Sequence, residues 1–548
     1  MTTSPAFQHL CCGLVEDYYG DFYRTIFETL AFGGRLSAPQ VAQKCHLPLR
    51  QARSGLAGLV QLRLVHHHTP RDAQTIYSAN LNRAYDVIRT GRLIEAAREQ
   101  HGDTAAEIVA TACDLGFATI SELRDRILCE DEPAETVASL EQLIDDLLED
   151  HYLIRLRKAH FGEAHDVRRE VELNLLSPQA IAKLTGTKAK AEHALNVERG
   201  YDELVHTSRA ENGLVNNDYV KQVREKQSNG VNGAATNGQL ARLATLLQPN
   251  PHKIVALAQS TLVADLARKM HGKRAAAVLA CAVRQTADPD VWSKLGPTHA
   301  YDVHVPQLRD GVNAEARKRS ENEAKQVNGR VNGHSHHDDD EELADGDVDR
   351  ELMFLTESAF HFLQGQSRQW YIEKGTFDDW VRKEETLRVM DSRLEPPAPR
   401  ILRILIDKGK LEERTLQEIG LLGAKELRQC LSLLKQMGYL DLQEVPRNPQ
   451  RMPNQTVFLW SHEAGRVQSL VLDSVYATIG KLVQLLKLER EKMAGTLAKT
   501  EREDVRGKEE EMLAPAEFTL LQRFRRTEAW IWDEIHRLDS TVAILRDS

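Results

Sequence analysis

The sequence predicts a mainly α protein: a tandem array of four winged helices, each a helix-turn-helix with a β wing, followed by a C-terminal antiparallel coiled-coil hairpin. Three observations predict it, namely internal self-similarity at an offset of 375 residues, a second self-similarity at 170 residues, and a change to long amphipathic helices after Ser461.

The offset of 375 lays Gly34 to Leu36 (GRL) over Gly409 to Leu411 (GKL), Val41 over Leu416, Leu47 over Leu422, Leu56 over Leu431 and Leu59 over Leu434. Both blocks read alike. A first helix (YRTIFETLAF; PRILRILIDK) ends at a glycine, then come a short helix, a turn, a longer helix and an extended apolar segment. In the first block the long helix starts near Pro48, a residue suited to the first helical position. It sets Leu49, Ala52, Leu56, Leu59 and Val60 on one face. The run LRLVHHHTPRDAQTIYSAN then reads as two β segments around a Pro/Asp turn, and three helices plus a hairpin in that order make a winged helix. The last block closes likewise, with GYLDLQEV, a Pro-rich turn and TVFLW.

The offset of 170 lays His101-Gly102 over His271-Gly272, and Ile108, Val109 and Ala110 over Val278, Leu279 and Ala280. It marks the start of two further units. One continues through ATISELRDRI, TVASLEQLIDDLLEDH and YLIRLR; the other through YDVHVPQL, an acidic insert, ELMFLTESAFHFLQ and QWYIEKG. The expected division is 1–80 for the first winged helix and 81–165 for the second with the helix leading into it. A linker with an Asn/Gly-rich insert should fill 166–250, and the third winged helix 251–380, interrupted by a disordered acidic insert at about 311–349. The fourth should span 381–465 and the coiled coil 466–548. SNGVNGAATNG (228–238) and QVNGRVNGHSHHDDDEELADGDVD (326–349) are too rich in Asn, Gly and Asp to bury the surface that would offset ordering entropy.

In the last segment Val471, Val475, Leu482 and Leu485 form one apolar stripe. Leu521, Phe524, Ile531, Ile535, Leu538, Val542 and Leu545 form another, broken by Glu528. Two such helices joined by a polar stretch most simply pair as an antiparallel coiled coil, with docking of the stripes on the body as the alternative.

A length of 548 residues implies several domains, and 41% hydrophobic residues suffice for packed cores. The net charge of −10 sets up no global positive field, so any contact with nucleic acid must come from local patches. Seven cysteines, an odd number, read as reduced intracellular thiols. There is no basic n-region followed by an apolar core, and no run of eighteen apolar residues, so a soluble chain without a membrane segment is expected.

Among candidate sites, the exposed face of a third helix is the one that can enter a major groove. In the first block it carries Arg50 and Arg53; at the same offset in the last block stand Lys425 and Arg428. Cations recur where phosphate contacts would need them, although Arg and Lys also simply solvate exposed helices. The equivalent helix of the second unit instead exposes Glu141, Asp145, Asp146 and Glu149, which would repel a phosphate backbone, so it is expected to meet protein or solvent. Cys45, His46 and the run His66 to His68 suggest a metal site at first sight. Neighbours on a strand point to opposite faces, however, so the three histidines cannot converge on one ion without a bend. His334, His336 and His337 lie in the polar insert. With no Walker-type loop, G-x-S-x-G, H-E-x-x-H or paired Cys at zinc spacing, no catalytic residue, metal or cofactor is expected.

The stretch YLDLQEVPRNPQRMPNQTVFLW (439–460) resembles the wing of the fourth winged helix in the largest member of the dissociable three-subunit initiation module of RNA polymerase III, a family related to the alpha subunit of TFIIE. The N-terminal LVEDYYGDFYRTIFETLAFGGRLSAPQVAQKCHLPLRQARSGLAGLVQLRLV resembles its first winged helix, and a coiled coil closes that family too. The resemblance implies a non-catalytic nuclear subunit. It would bind its two partner subunits and the polymerase clamp, contact promoter DNA near the initiation factor that contains the TATA-binding protein, and help promoter opening at tRNA and 5S rRNA genes. On the residues alone, a free-standing winged-helix regulator and a metal sensor using Cys45 and His66 to His68 remain alternatives.

Overall fold

The computed structural model describes residues 4–69, 74–128, 134–176, 186–206, 213–216, 220–221, 241–285, 300–327, 343–358, 360–366, 369–446, 456–502 and 505–547. Helix α1 (Pro5–Tyr19) precedes the first unit, which comprises α2 (Asp21–Gly33), β1 (Leu36–Ser37), α3 (Ala38–Lys44), α4 (Leu49–Gln61), β2 (Val65–His68) and β3 (Ile76–Ala79). The second runs through α5 (Leu81–Asp86), a 3-10 turn (Val87–Arg89), α6 (Thr90–His101), α7 (Asp103–Leu115), β4 (Ala118–Thr119), α8 (Ile120–Ile127), α9 (Ala134–Glu149) and β5 (Leu153–Arg155). After a 3-10 turn (Lys158–Phe161) come α10 (Ala164–Leu175), α11 (Thr187–His206) and β6 (Leu246–Pro249). The third holds α12 (His252–His271), α13 (Lys273–Gln285), β7 (Ala300–Val303), α14 (Val305–Val327), α15 (Asp345–Thr356), β8 (Leu363–Gln366) and β9 (Gln369–Glu373). Helix α16 (Lys374–Arg393) leads to the fourth: α17 (Ala398–Lys408), β10 (Leu411–Glu412), α18 (Glu413–Gly420), α19 (Ala424–Gln436), β11 (Asp441–Pro446) and β12 (Thr456–Ser461). The long helices α20 (Ala464–Thr500) and α21 (Pro515–Asp547) follow.

Each unit has a three-stranded antiparallel sheet whose last strand lies in the middle: β1-β3-β2, β4-β6-β5, β7-β9-β8 and β10-β12-β11. This is the winged-helix order, and the internal repeats are visible in the bounds of the helices. Helices α4 and α19 are displaced by 375 residues at both ends, α7 and α13 by 170. The turns repeat as well. Among the described residues the non-glycine positions with left-handed backbone are His46, Arg63, His151 and Leu421. His46 and Leu421 occupy the turn between second and third helix, while Arg63, His151 and Gly438 each stand two residues past the end of a third helix. An unfavourable conformation for L-residues is thus held at fixed points of the motif.

Two expected boundaries are corrected. The segment 166–250 is not a linker after the second unit but lies inside it, because β6 supplies the central strand: Leu247 faces Ala118 on one side and Arg155 on the other. The four residues LLQP alternate poorly and end in proline, so nothing local marks them as a strand, yet Leu247 is fully buried. In the third unit, α14 runs to Val327 and α15 starts at Asp345, so both ends of the insert expected at 311–349 are helical. Helix α14 has a weak apolar stripe, Leu308 and Val312 being buried at its start, which is why its continuation reads as polar insert. The stretch 228–238 and His334, His336 and His337 lie outside the described residues.

The first and fourth units share one core. Phe7, Leu10, Ile26, Phe27, Leu56 and Leu59 join Ile401, Leu402 and Leu434 through Val467, Val471, Val475 and Ile479 of α20 and Ile531 and Ile535 of α21. A second core forms around α13 and α15, and a third around α7 and α9. The two long helices run antiparallel: Arg490 pairs with Glu528 and Lys499 with Glu517, one partner number rising as the other falls. They are docked rather than free-standing, since α1 packs along α20 while α12 and α16 pack on α21. Helix α20 is long and apolar enough to match a membrane-crossing helix by length and composition. In this fold that apolar content serves the shared core, through Val467, Val471, Val475, Tyr476, Ile479, Val483 and Leu486.

Candidate nucleic-acid interface

Helix α4 is seated by glycine. A Cβ at Gly55 would lie 2.3 Å from Ile26 Cδ1, and one at Gly58 would lie 2.6 Å from the Tyr23 hydroxyl, so α2 and α4 approach closely only because both positions lack a side chain. With Ala52, Leu56 and Leu59 buried on that side, Arg50 and Arg53 are exposed on the other. Leu49, expected on the apolar face, is 39% exposed, because the first turn of the helix overhangs the core. In α19, Leu427, Leu431 and Leu434 are buried and Lys425 and Arg428 exposed, in an open face shared with Gln429, Ser432, Leu433 and Gln436. The pair is not equivalent to Arg50 and Arg53. Arg428 Nε donates to Glu413 Oε1 at 2.6 Å, so part of its charge is already neutralised.

The four third helices differ in charge. Helix α4 carries Arg50 and Arg53 with no acid (+2), and α19 carries Lys425, Arg428 and Lys435 against Glu426 (+2). Helix α9 carries Glu135, Glu141, Asp145, Asp146 and Glu149 with no base (−5), and α15 carries Asp345, Asp347, Asp349 and Glu351 against Arg350 (−3). On α9, Asp145 is bridged by Arg242 at 2.5 Å, which ties the acidic helix to the residues just before β6.

The histidines form the wing strand β2, with His66 opposite Ser78, His67 opposite Tyr77 and His68 opposite Ile76. That wing does not project freely. The His67 ring meets that of Phe161 of the second unit at 5.6 Å between centroids, tilted by 56°. Arg63 donates to the His160 carbonyl at 2.8 Å and to the Gln248 side chain, and Arg35 pairs with Glu163 and Asp166. Gln61, at the end of α4, donates to the carbonyls of Leu115 and Phe117 at 3.2 and 3.1 Å. Burial, reinforced by the Arg63 cation, drives the His66 imidazole down to about 4, so it is neutral near pH 7. Burial likewise lowers Arg63, to about 9. Cys45 contacts the Thr29 hydroxyl at 3.1 Å, and His46 serves the left-handed turn. Among the described residues no three His, Cys, Asp or Glu side chains gather as metal ligands.

Of the expected packing residues on the long helices, Val471, Val475, Leu521, Phe524, Ile531 and Ile535 are buried, while Leu482 and Leu538 are half-buried. Leu485 is exposed, because the buried stripe, stepping by fours through Val467, Val471, Val475, Ile479 and Val483, has rotated around the helix by that turn and continues through Leu486 instead. Glu528, the break in the second stripe, accepts from Arg490 at 2.8 Å, and Arg490 also reaches Asp17 of α1 at 3.6 Å.

Sequence reasoning missed the joint that fixes these faces. Asp539, fully buried near the end of α21, accepts from the Tyr85 hydroxyl at 3.0 Å, Arg89 Nε at 2.9 Å and Arg92 Nη1 at 3.4 Å, all from the segment joining the first two units. Arg89 also meets Asp547 at 2.8 Å and Asp86 at 3.4 Å. Burial opposes its charge, but these carboxylates outweigh it and raise its pKa. Two residues on, Thr541 donates to Glu385 of α16 at 2.7 Å. Val542 and Leu545 enter the core of the first and fourth units, and Ala543 and Ile544 that of the third. The last turns of the chain therefore touch all four units or their connectors. The one available signal was an unbroken apolar run, Val542 to Leu545, bracketed by Asp539 and Arg546-Asp547, which a stripe-based reading passes over.

Two family models match. Residues 9–69 match the RNA polymerase III subunit RPC82 helix-turn-helix domain, and residues 387–462 match the POLR3C C-terminal winged-helix domain. These are the first and fourth units described above. The DNA-directed RNA polymerase III subunit rpc3 of Aspergillus niger is 28% identical, covering 100% of both chains. That of Aspergillus terreus is 27% identical over 98% of this chain and 99% of its own, and the subunit RPC-3 of Coccidioides immitis is 29% identical over 98% and 99%. Similarity to the rpc3-type subunits of RNA polymerase III thus runs from end to end, and both matching domain models fall on winged helices of the array.

Proposed function

We propose that this chain is a non-catalytic, nuclear subunit that acts in initiation by RNA polymerase III, holding promoter DNA against partner subunits and helping the duplex open. The observation that carries the reading is the division of charge among the third helices, +2 on the outer two and −5 and −3 on the inner two. Basic faces on α4 and α19 suit a phosphate backbone, through Arg50, Arg53, Lys425 and Arg428, whereas acidic faces on α9 and α15 suit protein. In this reading the inner units and the outer surface of α20 and α21 serve the two partners of the initiation subcomplex and the polymerase clamp. The basic faces then lie toward DNA near the factor that contains the TATA-binding protein.

The test uses the polymerase assembled around the full chain. Arg50→Glu with Arg53→Glu should leave co-purification of the polymerase intact. It should also lower DNA affinity about tenfold or more at moderate salt and reduce the slope of log affinity against log salt by about 2. Lys425→Glu should cost more than Arg428→Glu, whose side chain Glu413 already holds. Tight, sequence-dependent binding by the isolated chain would instead favour a free-standing regulator. A polymerase that purifies without this chain at low salt would overturn the proposal.

A further inference from the structure

We propose that the exposed face of α15 in the third winged helix is a docking surface for a basic segment, carrying one apolar anchor, of another polymerase subunit. The inference rests on the subunit reading above and adds the place and chemistry of one contact. Helix α15 stands where the groove-reading helix of a winged helix stands, and it buries Val348, Leu352 and Leu355 against the core around α13. Its outer side leaves Met353 59% and Phe354 61% exposed. Adjacent Met and Phe on a helix surface offer apolar area with an adaptable thioether, a combination that favours burial by a partner.

The charge around them selects the partner. From Asp345 to Glu357 the chain carries five acids and one base, a balance of −4. Arg309 meets Asp345 at 3.1 Å but also Asp310 at 2.7 Å, and Arg350 pairs with Asp347. Asp349 accepts from Trp370 Nε1 at 3.0 Å, and no ion pair engages Glu351 or Glu357 among the described residues. Such a rim repels nucleic-acid phosphate and attracts Lys and Arg. A second copy of this chain would bring the same negative surface against itself. The neighbouring stretch 338–342 consists of Asp and Glu alone, the wrong charge to cover this face. The geometry therefore points to an apolar residue seated on Met353 and Phe354 with flanking cations reaching Glu351 and Glu357.

The experiment places photoreactive benzoylphenylalanine at position 354, and separately at 353, in the full chain. The polymerase is purified through a tag on its largest subunit, irradiated, and the adducts are mapped by mass spectrometry. The expected adduct lies on one polymerase subunit, at an apolar residue within two or three positions of Lys or Arg, and Glu351→Lys with Glu357→Lys lowers its yield at least fivefold. Adducts on DNA, on an acidic segment or on a second copy overturn the inference. So does the lack of any adduct in a chain that has co-purified with the polymerase. Failure to co-purify overturns the subunit reading, and this contact with it.

Discussion

Replacing Asp539 with alanine should loosen the end of α21 from the joint between the first and second winged helices. The carboxylate is fully buried and accepts from Tyr85, Arg89 and Arg92. Without it, the Tyr85 hydroxyl loses its acceptor inside the core, at a cost of about 1–3 kcal/mol. The Arg89 guanidinium, only 1% exposed, keeps Asp547 and Asp86 but loses its closest fully buried partner. Breaking a buried ion pair from one side costs about 3–5 kcal/mol, and because two carboxylates remain, the lower end applies, about 3 kcal/mol. An array of four units does not unfold in one step, so the assay is local: hydrogen exchange over residues 515–547, with the emission of Trp530 and Trp532 in α21 followed through a urea titration. About 3 kcal/mol corresponds to roughly a hundredfold faster exchange in that helix. A change of less than about tenfold would refute the reasoning. The pair Arg89→Met and Asp539→Leu supplies the control. Removing both charges should recover at least half of the loss, since Asp547 still has Arg546 at 2.6 Å.

Three further outcomes follow from the packing. Gly58→Val drives a branched side chain into the Tyr23 ring, where even a Cβ would sit 2.8 Å from Cε1, and should destabilise the first unit by about 1–3 kcal/mol in thermal unfolding; no loss would mean that α2 and α4 are not in contact there. His66 is neutral in the fold down to about pH 4, whereas the unfolded chain takes up that proton near 6.5, so the wing contact is fully stabilised above pH 6.5 and weakens as pH falls toward 4. Allowing for its partial exposure the loss is about 1–2 kcal/mol at pH 5, and His66→Gln should flatten the pH dependence of exchange in β2 and β3. Ile479→Ala should cost about 2–5 kcal/mol while Leu485→Ala costs less than about 0.5 kcal/mol; equal effects would restore the apolar stripe through Leu485.

What could be read from the sequence was whatever repeats or alternates. The offset of 375 placed α4 and α19 because buried Leu56 and Leu59 recur as Leu431 and Leu434, and helical spacing survives even where identity does not. Strand β6 escaped because α10, α11 and a long polar stretch separate it from β5, and α8 and α9 besides from β4. A strand of four residues has too few positions to show a period of two, and only its neighbours define it. The stripe on α20 was half right for a related reason: Val471 and Val475 lie on the true seam, but from Leu482 onward several apolar residues compete. The choice of Val483 and Leu486 over Leu482 and Leu485 is made by α1 and α21, not by α20 itself. Asp539 and Glu385 were invisible because a buried carboxylate looks in sequence like a solvated one until its partners, some 450 residues away for Asp539 and Arg89, are brought beside it.

The joint gives the charge division its mechanical meaning. Two basic helices at opposite ends of a 548-residue chain could touch one duplex productively only if their separation were held to within a few ångströms, since loosely tethered cations bind without orienting. Flexible linkers between four units would not supply that. A shared core does: Leu56 and Leu59 behind Arg50 and Arg53 belong to the same packed cluster as Leu427 and Leu431 behind Lys425 and Arg428, joined by α20 and α21. The acidic units are tied in by buried contacts at the end of α21, Asp539 toward the second and Ala543 and Ile544 toward the third, beside the wing contacts of the second unit with the first and the packing of α12 on α21. Loosening that end should leave each winged helix folded while the outer pair keeps its spacing and the inner pair loses its registration. Asp539→Ala should therefore impair contacts made by α9 and α15 before those made by α4 and α19, an order that crosslinking from positions 354 and 53 in the same variant measures directly. The reverse order would show that the long helices, not the joint, carry the inner units.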